Sequence, residues 1–294
     1  MKVHLVDGTY ELFRSYYSAP SKKARDRREV GATVGLLRSL LQLLSASGTT
    51  HVACAFDHVV ESFRNDLYPG YKTGAGVPPD LLAQFPLAEE AVSALGVVVW
   101  PMVYFEADDA LATAAARFKD EPGVEQILIC SPDKDFAQSV SGTRVVCLDR
   151  RREIVLDDAG VVEKFGVHPE SIPDWLALVG DASDGYPGIP GWGAKSSSAV
   201  LARYAHLEAI PEDPRQWGLD LKRAARLAES LASHRREVLL YRHLATLRRD
   251  VPIEERLEDL EWRGATPQLR ELCGEWGETR LLQQPGLKWR RPAV

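Results

Sequence analysis

The sequence predicts an α/β fold, a mostly parallel central sheet flanked by helices and followed by a helical region. Three observations carry that prediction. Short apolar runs of strand length recur through the first half, helical stripes separate them, and beyond Ile154 helical patterns predominate. Strands alternating with helices pack as a mostly parallel sheet.

The apolar runs are Val3–Val6, His51–Phe56, Gly96–Val99, Glu125–Cys130 and Arg144–Leu148. They are rich in Val and Ile and about four to seven residues long, as expected of parallel strands covered on both faces. Between them, Thr33–Ala46 carries Val34, Leu37, Leu40, Leu41 and Leu44 at helical spacing. Leu81–Leu95 and Asp108–Phe118 have similar patterns. After Ile154 the helical segments are Asp157–Phe165, Ser171–Leu178, Ser196–Tyr204, Leu219–Ser233 and Ser233–Leu247. The reading is therefore an α/β domain over 1–155 and a helical region over 156–294, with no internal repeat.

The chain has 294 residues, 45% hydrophobic and 27% charged, which suffices for a sizeable core. The first residues lack the apolar stretch and cleavage site of a signal peptide. No run of about 18 apolar residues marks a membrane span. These features predict a cytoplasmic protein, and without a coiled-coil seam a monomer is the default. Of the four cysteines, none forms a C-x-x-C pair, so reduced thiols are expected rather than a zinc site or disulfides. The net charge of −6 argues against a uniformly basic nucleic-acid binder, but charge is segregated. Arg14–Arg38 holds seven Lys/Arg against Asp26 and Glu29, and Arg215–Arg249 holds nine against Asp220, Glu229 and Glu237. Such segregation suits a protein that holds metals in one place and phosphates in another.

The acids fall at strand ends. The first strand ends in Asp7 and the second in Asp57. The third leads into Glu106-Ala-Asp108-Asp109, the fourth into Asp133-Lys-Asp135. Ligands of open α/β sheets bind beyond the carboxyl ends of the strands. Taken singly, each acid reads as a helix cap or a solvated turn. Their recurrence at four successive junctions reads as a cation site, because clustered carboxylates repel each other without one. Oxygen donors with no His or Cys suit Mg²⁺ rather than zinc. A further segment, Gly180-Asp181-Ala-Ser-Asp184 through Gly188, Gly191, Gly193 and Lys195, joins two acids to a glycine-rich turn and a helix start. Glycines admit close backbone approach, and helix N-termini bind phosphate.

These stretches resemble the 5′-nuclease superfamily, which includes the 5′–3′ exonuclease domain of bacterial DNA polymerase I and the flap endonucleases. The resemblance rests on Leu5-Val-Asp7-Gly, Ala55-Phe-Asp57 with Ser62-Phe-Arg64, and Tyr68-Pro-Gly-Tyr71-Lys72. It continues through Glu106-Ala-Asp-Asp109, Asp133-Lys-Asp135 with Gln138, and Gly180-Asp-Ala-Ser-Asp184 to Gly193-Ala-Lys195. It spans about residues 1–250 in order and spacing.

The resemblance implies a substrate loop and helical arch over the polar stretches 14–30 and 72–86, and a helix–three-turn–helix DNA-binding element over about 174–205. It implies two Mg²⁺ ions, with Mn²⁺ able to substitute. Asp7, Asp57, Glu106, Asp108 and Asp109 would serve one ion, and Asp133, Asp135, Asp181 and Asp184 the other. A K⁺ ion would sit in the helix–three-turn–helix element. Arg64 and Lys72 would neutralise the scissile phosphate. Tyr68 or Tyr71 would stack on a terminal base. Gly188, Gly191, Gly193 and Lys195 would grip the duplex. The implied substrate is DNA with a 5′ flap, overhang or nick, or an RNA/DNA hybrid. The implied reaction is phosphodiester hydrolysis by a 5′–3′ exonuclease and flap endonuclease of replication and repair. Three positions depart from the family pattern: Ala75 where a basic residue is usual, Gly185 where Asn is usual, and Trp192 within the usual Gly-Ile-Gly. The alternative function is a non-catalytic DNA-structure-binding protein on the same fold, and all nine family acids being present argues against it. A small-molecule phosphatase would want an Asp at position 9, where Thr stands.

Overall fold

A computed structural model describes residues 1–290. Strand β1 (Lys2–Asp7) is followed by α1 (Gly8–Ser18) and α2 (Gly31–Ser45). Strand β2 (Thr49–Asp57) leads through α3 (Phe63–Leu67) and α4 (Pro79–Leu82) to α5 (Phe85–Ala94). Then come β3 (Val98–Met102), α6 (Ala107–Phe118), β4 (Gln126–Cys130), β5 (Val145–Asp149) and β6 (Ile154–Leu156). The remaining helices are α7 (Asp158–Phe165), α8 (Ile172–Val179), α9 (Ala194–Tyr204), α10 (Leu221–Ser233), α11 (Arg235–Ala245) and α12 (Gln268–Glu275). The fold is α/β, as predicted. None of the described helices is long and apolar enough to cross a membrane.

The chain forms two compact units. Among the described residues, one comprises 1–62, 74–131 and 249–290, and the other 63–73 and 132–248. The first unit is built on four parallel strands in the order β3-β2-β1-β4. Val3, Leu5 and Val6 of β1, Ala53, Cys54 and Phe56 of β2, and Ile127 and Ile129 of β4 are fully buried. That is why these strands read as unbroken apolar runs rather than alternating ones. Parallel strands in register place Asp7 and Asp57 at one edge, each the last residue of its strand. The four cysteines are free and buried, as expected.

The second unit is mainly helical. Strands β5 and β6 pair antiparallel within it. Strand β6 escapes sequence reading because Ile154 and Val155 are exposed and it is only three residues long.

Two helices differ from expectation. Gly8–Ser18 is helical although part of it falls in the polar stretch assigned to a substrate loop. Asp7 caps it, accepting the Tyr10 N–H at 2.8 Å, and only Gly8, Glu11, Leu12 and Ser15 face inward. So narrow a stripe, half of it polar, carries little periodic signal. The predicted helix Leu81–Leu95 breaks at Ala83–Gln84. Pro86 cannot sit in a helix interior but is tolerated in a first turn, which is where α5 places it. The segment 72–86 thus carries one short helix and the start of another.

Candidate metal centre

Each unit gathers carboxylates of its own. In the parallel-sheet unit, Asp7 is buried, with Oδ1 on the α1 cap and Oδ2 accepting from Ser131 Oγ at 2.9 Å, just past β4. Asp57 Oδ1 accepts the Ala107 N–H at 2.8 Å, so the end of β2 caps α6. Glu106 Oε1 accepts from Ser62 Oγ at 2.7 Å. Asp109 is fully buried, and its Oδ2 accepts the Glu106 N–H at 3.0 Å. Asp108, half-buried, lies in the same first turn. Acids suit this helix end because its unsatisfied amides carry partial positive charge.

In the second unit, Asp133 caps a 3₁₀ turn, Lys134–Ser139, by accepting the Asp135 N–H at 2.9 Å. Asp135, Asp181 and Asp184 are all buried, and each offers an oxygen within 4.8 Å of the others'. Among the described residues this is the one acid group so tightly gathered. Asp133 is exposed and lies outside the trio.

Two lysines neutralise part of this charge. Lys134 Nζ pairs with Asp181 Oδ2 and lies 4.0 Å from Asp135 Oδ1. Lys72 Nζ is 3.0 Å from Asp184 Oδ1, and its backbone N–H donates to the Asp184 carbonyl at 2.9 Å. Asp135 Oδ1 is buried with no hydrogen-bond partner. Burial, then the charges of Asp133 and Asp184, push the Asp135 carboxyl well above the usual range, against the pull of Lys134. Burial works against the charge of Lys134, but its bond to Asp181 and the field of Asp135 raise it above an ordinary lysine. The Tyr186 hydroxyl, likewise buried and unpartnered, is pushed up by burial and by Asp135, Asp184 and Asp181. Three oxygen-only donors, one with an orphaned atom, fit a hard divalent cation.

Other predicted residues are placed as follows. Arg64 is 1% exposed, and its guanidinium donates to the Leu244 carbonyl at 2.7 Å and the Thr246 carbonyl at 3.2 Å. A cation at the C-terminal end of α11 satisfies carbonyls the helix leaves open. Tyr71 is 3% exposed. Tyr68 is half-buried and packs edge-on against Tyr241 at 5.8 Å.

In the glycine-rich segment, Gly188 is buried with φ +70°, and a Cβ there would meet the Gly180 nitrogen at 2.5 Å. It closes the turn on itself. Gly191, Gly193 and Lys195 are exposed, the last two at the start of α9. Gly185, at φ +90°, would place a Cβ 2.2 Å from the Gly70 carbonyl oxygen, which explains the departure from Asn. Trp192 is buried, donates Nε1–H to the Leu227 carbonyl at 3.1 Å and packs on Trp217. It is a core residue of this unit. Ala75 is exposed and brings no cation.

Sequence reasoning passed over Lys134 and Tyr186. The Asp-Lys-Asp order was the available signal for the first. Nothing local marks the second, whose ring stacks on Tyr241 at 5.6 Å.

Residues 2–166 match the family model for the 5′-3′ exonuclease, N-terminal resolvase-like domain, and residues 167–268 that for the 5′-3′ exonuclease, C-terminal SAM fold. DNA polymerase I of Mycobacterium leprae is 32% identical over 262 residues, 87% of this chain and 28% of that protein. DNA polymerase I of Bacillus caldotenax is 32% identical over 267 residues, 90% and 30% respectively. The chain therefore spans less than a third of the length of these relatives. The flap endonuclease of bacteriophage T5, solved with DNA and metal ions, superimposes with a TM-score of 0.68 at 17% identity, covering 97% of this chain and all of that one. With both family models matched in order over most of its length, the chain belongs to the 5′–3′ exonuclease family.

Proposed function

We propose that the chain is a divalent-metal-dependent 5′-nuclease that hydrolyses DNA phosphodiesters at 5′ ends or flaps. It would act as a 5′–3′ exonuclease and structure-specific flap endonuclease in DNA replication and repair. The observation that carries the reading is the buried, oxygen-only trio Asp135, Asp181 and Asp184, with Asp135 Oδ1 unpartnered. Membership of the 5′–3′ exonuclease family supports it.

Asp7, Asp57, Glu106, Asp108 and Asp109 would hold one Mg²⁺, and Asp133, Asp135, Asp181 and Asp184 another, with Mn²⁺ able to substitute. When bound, such ions supply an activated water and charge for the departing oxygen. The protein's own groups do the positioning. Lys72, beside Asp184, neutralises the scissile phosphate. Arg64 fixes α3 against the end of α11, and so anchors the chain leading to Lys72. Helix α8, the glycine-rich loop and α9 form the helix–three-turn–helix element. There Lys195 and the open amides of α9 take a backbone phosphate, and loop carbonyls take K⁺. Tyr68 supplies the stacking ring, and residues 72–86 the clamp over a 5′ flap. The division near residue 155, catalytic before and duplex-holding after, belongs to the same proposal.

The partner is DNA with a 5′ flap, overhang or nick, or an RNA/DNA hybrid, bound by a cytoplasmic monomer. Backbone contacts make binding salt-dependent and nearly sequence-independent.

Incubation with a 5′-flap duplex and Mg²⁺, beside the double variant Asp133→Asn/Asp135→Asn, tests the reading. The wild type cuts and the variant does not. No cutting by the wild type in either Mg²⁺ or Mn²⁺ removes the nuclease reading, and binding without cutting leaves a DNA-structure-binding protein. Equal cutting by the variant removes the ligand assignment. Single nucleotides among the products indicate exonuclease action, and a discrete flap indicates endonuclease action.

A further inference from the structure

The second carboxylate group is not simply open. Both oxygens of Asp181 are engaged, Oδ1 by the Ser183 N–H at 2.9 Å and Oδ2 by the Lys134 ammonium. The same ammonium lies 4.0 Å from the orphaned Oδ1 of Asp135. A cation is thus already seated beside two of the three buried acids, and it belongs to the chain. A divalent ion that takes Asp181 Oδ2 must first move it.

The backbone beneath Lys134 is fixed. Gln138 Nε2 donates to the Asp135 carbonyl at 3.0 Å and to the Ala245 carbonyl at 2.9 Å, while its Oε1 accepts the Leu247 N–H at 2.9 Å. The side chain is not fixed to the same degree. It is 31% exposed, on a flexible four-carbon stem. Lys134 can therefore leave the acids by changing rotamers alone.

We propose that Lys134 is a tethered cation that holds the second carboxylate group together without metal and that its displacement sets the affinity of that site. This rests on the metal half of the proposed function. Lys134 touches neither substrate nor product in this role. It is a positioning residue that keeps Asp181 and Asp135 gathered, and it competes with the incoming ion for Asp181 Oδ2. Its side chain thereby tunes how much free divalent ion is needed to fill the site.

The test is calorimetric titration of the full chain with Mn²⁺ alone, together with thermal melting in chelator. Asp135→Asn identifies which binding event belongs to this site. Lys134→Met binds Mn²⁺ there about tenfold more tightly than wild type, because entry no longer costs a charged hydrogen bond. It also melts at a lower temperature in chelator and gains more on adding Mn²⁺. Lys134→Arg, which keeps the charge, stays near the wild type. Should Lys134→Met fold poorly, Lys134→Gln gives the same ordering. Equal or weaker Mn²⁺ binding by the neutral variants overturns the proposal, since a merely structural lysine would weaken the site when removed. A wild type that binds no Mn²⁺ overturns both this and the metal reading. A wild type that binds Mn²⁺ but cuts no DNA, with the neutral variants tighter, supports this proposal and fails the nuclease reading alone.

Discussion

The two carboxylate groups are held by different chemistry. Asp7, Asp57, Glu106 and Asp109 of the parallel-sheet unit take hydrogen bonds from donors the fold supplies: the Tyr10, Ala107 and Glu106 amides and the Ser131 and Ser62 hydroxyls. Asp181 and Asp184 of the other unit take side-chain cations, Lys134 and Lys72, and Asp135 Oδ1 takes no hydrogen bond at all. A neutral donor orients a carboxylate and leaves its charge in place, whereas an ammonium cancels it. Those hydrogen bonds fix how the carboxylates of the first group point. The second is held by lysine side chains, with one buried oxygen that takes no hydrogen bond.

The largest test of that contrast is Asp135→Asn. Cutting of a flap duplex in single-turnover assays falls by more than about a hundredfold, since even outer-shell changes at metal sites cost about 10–100-fold. Yet the metal-free variant melts higher than wild type, by about 2 °C or more, because a buried carboxyl that Lys134 meets only at 4.0 Å, beside the charges of Asp133 and Asp184, is gone. Lower stability in chelator would break the comparison. Arg64→Met comes next. It strips buried carbonyls at the end of α11 of a charged donor and costs roughly 3 kcal/mol in denaturant unfolding. A loss no larger than that of Lys72→Met would mean that the bonds to the α11 end carry no special weight. Asp57→Ala is smaller and opposite in sign to Asp135→Asn. It uncaps α6 and lowers stability in chelator by about 1 kcal/mol, read from thermal melts.

What could be read in advance follows the same divide. Asp7 and Asp57 were legible because the edge of a parallel sheet is fixed by topology, and apolar runs announce the strands. Asp181 and Asp184 were legible because glycines sit at positions the turn demands, Gly188 among them. Arg64 and Tyr71 were read as substrate-facing, and both are buried. The carbonyls that bury the Arg64 guanidinium lie 180 and 182 residues away in sequence, where no local pattern reaches. Gly185 and Trp192 read as departures from a pattern, yet each has a packing reason, the Gly70 carbonyl for one and Trp217 for the other. The lysine between Asp133 and Asp135 was visible, but not that its ammonium would settle on Asp181.

A third acid cluster offers the smallest and most discriminating test, because there compensation is complete. Arg242 donates to Asp174 Oδ1 at 3.0 Å and contacts Glu208 at 2.6 and 2.8 Å, while His206 meets Asp174 Oδ2 at 2.9 Å. The hydrogen bond from Arg242 holds the Glu208 carboxyl down at about 2, against an ordinary 4.5. A depressed carboxyl stabilises the fold above its unfolded value, and that stability drains away as pH falls from about 4.5 through about 2. Glu208 is more than half exposed, so solvent screening keeps the whole effect below about 1 kcal/mol. Thermal melts of wild type and Glu208→Gln should therefore run parallel from about pH 7 to about pH 5 and converge at lower pH. A gap that widens on acidification would mean the pair does not stabilise the fold as drawn. A gap that closes as expected would show that an acid in this unit stabilises the fold where its cation bonds it directly, in contrast to Asp135, which Lys134 meets only at 4.0 Å.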